Sequence, residues 1–200
     1  MCKLYMIILI FSAVILEAGT ANLISDPAFK KAEDNWFLRK SKEYKSVKET
    51  YKKGIFSFFT PASSAKTYLA LYHQLELEEG EKYMFTVEVK TKGEGVITYG
   101  YGTYGDIFGG KQKKKKVKSK KEQKGQNLGL MASRTDFSPE WKEHVCYFTV
   151  RKKTSDLPTF IKVLLGEYQG DFAMRNPQLI KIDSLPSGVT QRGSVEIKEL

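Results

Sequence analysis

Tyr99, Tyr101 and Tyr104, with Phe108 close behind, are the residues of this chain whose type and spacing most suit ligand chemistry. Tyr99 and Tyr101 alternate with Gly100 and Gly102, and a ring flanked by residues without side chains can keep a flat face open for stacking. The same alternation also fits a strand with one side in a core, which would put both rings inside. The residues alone leave both arrangements open. Trp36 and Tyr168 lie beside turn-rich stretches and are candidates for the rim of the same surface. Gln74 could satisfy buried backbone or meet a ligand.

Catalytic combinations are sparse. His73 and His144 stand on strand patterns without metal-ligand spacing, and the chain has no Gly-x-Ser-x-Gly, no phosphate loop and no Cys/His cluster. Asp106, Asp136, Glu140 and Glu143 are carboxylates without a visible partner, whereas a glycosidase needs two across a cleft. No catalytic residue and no metal ligand is assigned, and the expectation is a protein that is not an enzyme. A polysaccharide-active enzyme is the alternative on that side.

The elements that must position the tyrosines read as strands. Tyr83, Phe85, Val87 and Val89 alternate with Met84, Thr86 and Glu88, the period of a half-buried strand. Tyr68 to Leu77 alternates Leu69, Leu71, His73, Leu75 and Leu77 against Tyr68, Ala70, Tyr72, Gln74 and Glu76. Further strands are expected at Asn22–Phe29, Gly54–Phe59, Gly95–Tyr101, Trp141–Val150, Thr159–Leu165 and Phe172–Ile182, with Trp141 in the core. About nine short strands between Gly and Pro turns, without a helical period, predict an all-β fold, a single β-sandwich of jelly-roll type.

Residues 1–21 have the pattern of a secretory signal. One Lys precedes an apolar run from Leu4 to Leu16, and small residues end it at Ala21. The run is shorter than the ~20 residues of a spanning helix, so export, to a periplasmic or extracellular location, with a mature start at Asn22 is expected. The domain is then 22–183, and 184–200 is a tail of loop composition with a short strand at Val195–Ile197. Of the two cysteines only Cys146 remains after cleavage, alternating with Phe148 and Val150, which predicts a buried apolar thiol and no intrachain disulfide.

The net charge of +10 is concentrated in one segment, because residues 111–124 hold nine Lys and one Glu. Such a block repels itself and is expected to be a disordered loop insertion. It could be merely solvated, or it could attract an acidic polysaccharide or an anionic envelope. Nucleic acid is not expected, since no aromatics interleave the lysines.

Four pieces, in order, resemble the jelly-roll carbohydrate-binding modules of families four and nine, which are galactose-binding-domain-like. Asn22-Leu23-Ile24-Ser25-Asp26-Pro27-Ala28-Phe29 is similar to the opening pattern of that family, followed by Trp36. Gln74-Leu75, Gly80 and Tyr83 resemble its central pattern, Trp141-Lys142 its Trp-Lys strand, and Gly170 to Asn176 its closing strand. The resemblance implies a non-catalytic module binding poly- or oligosaccharide, and the aromatics singled out above by type and spacing, Tyr99, Tyr101, Tyr104, Trp36 and Tyr168, are then the candidate carbohydrate-binding residues. It also implies no cofactor, and a monomer that could dock to an envelope or a partner enzyme. Where members of the family hold calcium this chain has Lys30 and Arg175, and two cations would repel a dication that needs oxygen ligands. Glu33, Asp34 or Asp171 could offer only a shifted site. The alternative function is a structural or adhesion sandwich that makes protein contacts without binding sugar.

Overall fold

The computed structural model describes residues 21–40, 48–60, 69–104, 125–189 and 194–199. Its elements are α1 (Ala32–Asn35), β1 (Trp36–Lys40), β2 (Thr50–Lys52), β3 (Ile55–Thr60), β4 (Leu69–Gln74), β5 (Lys82–Thr103), β6 (Asn127–Arg134), β7 (Lys142–Thr149), β8 (Thr159–Ile182) and β9 (Ser194–Glu199). The two long strands organise the rest. β5 and β8 run antiparallel along their full lengths, from Lys82 opposite Ile182 to Thr103 opposite Thr159.

Midway along this pair the sheet curls, at a crossing built from glycines. A Cβ on Gly93 would stand 2.0 Å from the Gln169 carbonyl oxygen, and one on Gly170 would stand 2.6 Å from Gly93 Cα. Gly170 also has φ of 125°, a conformation that side chains disfavour. The backbones therefore approach closely enough to fold one sheet into two leaves. In the first, β1, β4, the start of β8, the end of β5 and β6 lie side by side. In the second, β2 and β3 flank the far half of β8, with the start of β5, β7 and β9 beyond it.

Alternation sends one parity of each strand between the leaves. Leu71, Phe85, Ile97, Tyr99, Leu130, Cys146, Phe148, Ile161, Val163 and Met174 are fully buried there. Each large apolar side chain contributes about 1.5–3 kcal/mol by leaving water. The fold is all-β, a curled antiparallel jelly-roll sandwich.

Several local expectations are corrected by this architecture. The stretches 83–89 and 95–101 are halves of one bent strand, as are 159–165 and 172–182. Asn22–Phe29 is not a strand but a clasp. Asn22 Oδ1 accepts from the Ile24 and Leu179 amides at 3.0 and 2.9 Å, and the Asp26 carboxylate accepts from the Lys30 and Lys31 amides. Trp141 is only half-buried, on the outside of the second leaf, with the Arg175 guanidinium 4.2 Å from its ring centre. The sheet also passes the boundary drawn at residue 183, since β9 pairs with β7 from Tyr147 opposite Ser194 to Lys142 opposite Glu199. Cys146 is free and buried, as its strand parity predicted. The signal-like segment up to residue 20 and the Lys-rich segment lie outside the described residues.

Candidate functional site

Four of the five sequence-predicted aromatics are core residues. Tyr99 is fully buried, with its hydroxyl 2.6 Å from His144 Nδ1. Tyr101 is 1% exposed, and its hydroxyl accepts from the Leu77 amide at 3.0 Å. Its edge borders a cleft of about 120 Å³, well below the 300 Å³ or more of ordinary ligand sites. Trp36 is buried against Phe29 and His73, 5.2 and 4.6 Å between ring centres. Tyr168 is buried under Phe137 and Phe172, and its hydroxyl donates to the Asp171 carbonyl at 2.5 Å.

The physical reason is parity. Tyr99 and Tyr101 share the face of Ile97, which points between the leaves, while Gly100 and Gly102 point the other way, so the glycines free the opposite face and not the rings. Tyr104, just beyond β5, remains partly exposed. Phe108 lies outside the described residues.

The opposite face of the first leaf gathers another set of side chains. Strand register places Phe37, Tyr72, Lys162, Gly100 and Met131 in one row across β1, β4, β8, β5 and β6. A second row holds Arg39, Ala70, Leu164, Thr98 and Ser133, and a third holds Gln74, Phe160, Gly102 and Asn127. Tyr72, Ala70 and Phe160 form a buried floor against which Phe37, Tyr104 and Leu164 pack, partly exposed. Tyr72 meets Tyr104 edge-on at 5.2 Å and Phe160 edge-on at 5.8 Å. Beside the outer strand β1 an open groove of about 620 Å³ is lined by Phe37, Arg39, Tyr51 and Glu49, the last paired with Lys40 at 2.7 Å.

Lys162 lies across this floor. A Cβ on Gly100 would stand 2.5 Å from Lys162 Cε and 3.0 Å from Cγ, so the aliphatic stem occupies the space that the glycine leaves. The ammonium nitrogen sits 4.9 Å from the centre of the Tyr104 ring. Burial lowers the Lys162 pKa, with the Tyr104 hydroxyl acting weakly in the other direction. Among the described residues the buried Tyr72 hydroxyl has no hydrogen-bond partner.

This arrangement brings together groups that can hold a ligand. It offers ring faces, a hydroxyl and a cation, and these rows contain no carboxylate to act as acid, base or nucleophile. Among the described residues no group of three or more His, Cys, Asp or Glu could hold a metal ion. Arg175, on the second leaf, is engaged with Glu88 at 2.6 Å. The two histidines are tied into the core, His144 to Tyr99 and His73 to the Asn35 carbonyl at 2.9 Å.

The sequence carries a signal for the floor in two other alternating stretches. Tyr72 and Gln74 alternate with Leu71 and His73, and Phe160, Lys162 and Leu164 alternate with Ile161, Val163 and Leu165. Which parity of each strand faces outward, and that the two outward sets adjoin, is fixed only by the β4–β8 register.

Solved structures similar to this one include a family 4 carbohydrate-binding module, with a TM-score of 0.57 and 12% identity over 80% of this chain and 99% of that one. The N-terminal cellulose-binding domain of a β-1,4-glucanase C from Cellulomonas fimi matches with a TM-score of 0.51 and 14% identity, over 76% of this chain and 91% of the domain. An arabinose-bound α-L-arabinofuranosidase matches at 0.55 and 12% identity, over 88% of this chain and 29% of that one. The fold is thus a carbohydrate-binding-module-like jelly roll. No protein-family model matches the sequence, and no curated protein does.

Proposed function

We propose that this chain is an exported, non-catalytic saccharide-binding protein whose ligand lies across the outer face of the β1-β4-β8-β5-β6 leaf. The observation that supports the reading is the set of four aromatic rings, Phe37, Tyr72, Tyr104 and Phe160, gathered there by strand register on a jelly roll like that of carbohydrate-binding modules. Phe37 and Tyr104 keep exposed ring surface for a sugar, while Tyr72 and Phe160 hold them in place. A structural sandwich without sugar binding was the reading to prefer if the buried Tyr99 and Tyr101 had left no other aromatic platform. The outer face supplies one.

The Lys-rich stretch between residues 111 and 124 adds a screened attraction to anionic polymers or an envelope. The experiment is a glycan array probed with the chain starting at Asn22, followed by affinity electrophoresis of Tyr104→Ala and Phe37→Ala on whichever polysaccharide binds. Binding weakened by both substitutions, without unfolding, is expected. A wild-type chain that binds no glycan, or variants that bind unchanged, would remove the reading. Amino-terminal sequencing of protein recovered from an exporting host should begin at Asn22, and an intact Met1 would remove export.

A further inference from the structure

Lys162 is placed in the middle row of this face in a way that stacking on a neutral sugar does not require. Its residue is 5% exposed, and burying an ammonium costs solvation that a partner must replace. The partner the structure gives it is the π face of Tyr104, a weaker replacement than a carboxylate. Across the β4–β8 register stands Tyr72, whose buried hydroxyl has no hydrogen-bond partner. Both side chains meet the same Tyr104 ring, so a desolvated cation and the side chain that carries the unused donor are neighbours on one face. The rows around them, with Arg39 on β1, carry no acidic side chain.

We propose that this face selects acidic saccharides, chains bearing uronic-acid carboxylates, with Lys162 and the Tyr72 hydroxyl receiving the carboxylate while Phe37 and Tyr104 contact the sugar rings. The proposal rests on the saccharide reading of the same face. A carboxylate fits because it is anionic and accepts two hydrogen bonds at once, one from the ammonium and one from the phenol. Gly100 has a part in this, since only its missing side chain lets the Lys162 stem lie flat beneath the ligand.

Affinity electrophoresis and titration calorimetry on galacturonan, glucuronoxylan and alginate, each paired with its carboxyl-reduced form, test the proposal. At least one acidic chain should bind roughly tenfold or more tightly than its reduced form. Lys162→Met keeps the stem and removes the charge, and should abolish that preference, read as the ratio of the two affinities. Tyr72→Phe removes only the unpartnered oxygen, should fold as well as the wild type, and should cut the acidic preference several-fold. Because it is the gentler change, it decides the matter if Lys162→Met does not fold.

Reduced forms that bind as tightly as the acidic ones would overturn the carboxylate assignment and leave the saccharide reading standing. A preference that survives both substitutions and disappears at 1 M salt, where the Debye length is ~3 Å, would assign it to the lysines of residues 111–124 instead. No binding to either form of any chain would overturn the carboxylate assignment, and a blank glycan array with it would overturn the saccharide reading as well.

Discussion

The two sides of the first leaf are made from the same strands and differ in what their side chains are for. On the inner side Tyr99 and Tyr101 lie with Ile97, Ile161 and Val163, sealed between the leaves, and their hydroxyls are satisfied by His144 and by the Leu77 amide. On the outer side Tyr72 has no partner for its hydroxyl, Lys162 has a ring in place of an anion, and Tyr104 and Phe37 reach solvent. A tyrosine whose every need is met internally is structural. A face whose polar groups are left wanting is where a ligand has something to supply.

The largest effect is expected on the inner side. Tyr99→Ala removes a fully buried ring and strands His144, and a large-to-small change of this kind costs about 3–5 kcal/mol. For a domain of this size that lowers the thermal midpoint by roughly 10 °C, measured by circular dichroism. A midpoint unchanged within a degree or two would mean that the ring is not core.

Acid should weaken the same region. His144 has its pKa lowered to about 4, by burial first and then by the Arg134 charge, with Asp136 opposing. An unfolded histidine titrates near 6.5. Between those values the unfolded chain takes up a proton that the folded chain refuses, so stability falls as pH drops from 6.5 to 4 and levels off below that. The loss from His144 is on the order of 3 kcal/mol. His73, lowered chiefly by burial, acts with the same sign. Urea midpoints across this range should fall for the wild type and fall less for His144→Gln. Parallel curves for the two proteins would show that His144 is not the acid-sensitive group.

What the sequence made legible follows from what a single strand can encode. Alternation along Tyr83–Val89 and around Cys146 identified strands and their two parities correctly, because periodicity is local. It could not say that 83–89 and 95–101 form one bent strand. Gly93 and Gly95 look like a turn until the β5–β8 pairing and the close approach at Gly170 are known. Nor could it say which parity of 97–103 faces out, since Tyr-Gly alternation reads equally well either way. The Lys162–Tyr72 convergence joins residues 90 apart in sequence through strand register, and no local pattern carries register. The fold class was therefore readable, whereas Tyr99, Tyr101, Trp36 and Tyr168 are buried and Tyr104 alone stays partly exposed beside the outer face.

Exposed rings permit a sharper test with a smaller effect. Tyr104→Ala should cost clearly less stability than Tyr99→Ala, although it uncovers the Tyr72–Phe160 floor and removes the ring over Lys162, and should weaken saccharide binding by ~1–3 kcal/mol, taking aromatic stacking on nucleic-acid bases as a rough guide. Phe59, 58% exposed on the outer side of the second leaf, lines an open groove of about 630 Å³ and is the natural control. Phe59→Ala should not alter binding. If Phe59→Ala weakens binding and Tyr104→Ala does not, the ligand belongs on the second leaf and the contrast drawn above is reversed.

The smallest expected effect distinguishes two neighbouring glycines on one strand. Gly100→Ala would push a methyl against Lys162 Cε, the far end of a flexible side chain that can move aside, whereas Gly102→Ala would place its methyl 2.1 Å from the Gln126 carbonyl oxygen, which is backbone. Gly100→Ala should therefore fold with a loss of about 1 kcal/mol or less, within the range of ordinary tolerated substitutions. The displaced lysine should still reduce preference for an acidic saccharide. Gly102→Ala should be destabilised clearly more, because β6 must shift to admit it. Urea midpoints and acidic-saccharide affinities of the pair decide the point. Equal destabilisation, or an acidic preference unchanged in Gly100→Ala, would show that the position of Lys162 over the glycine is incidental to what this face binds.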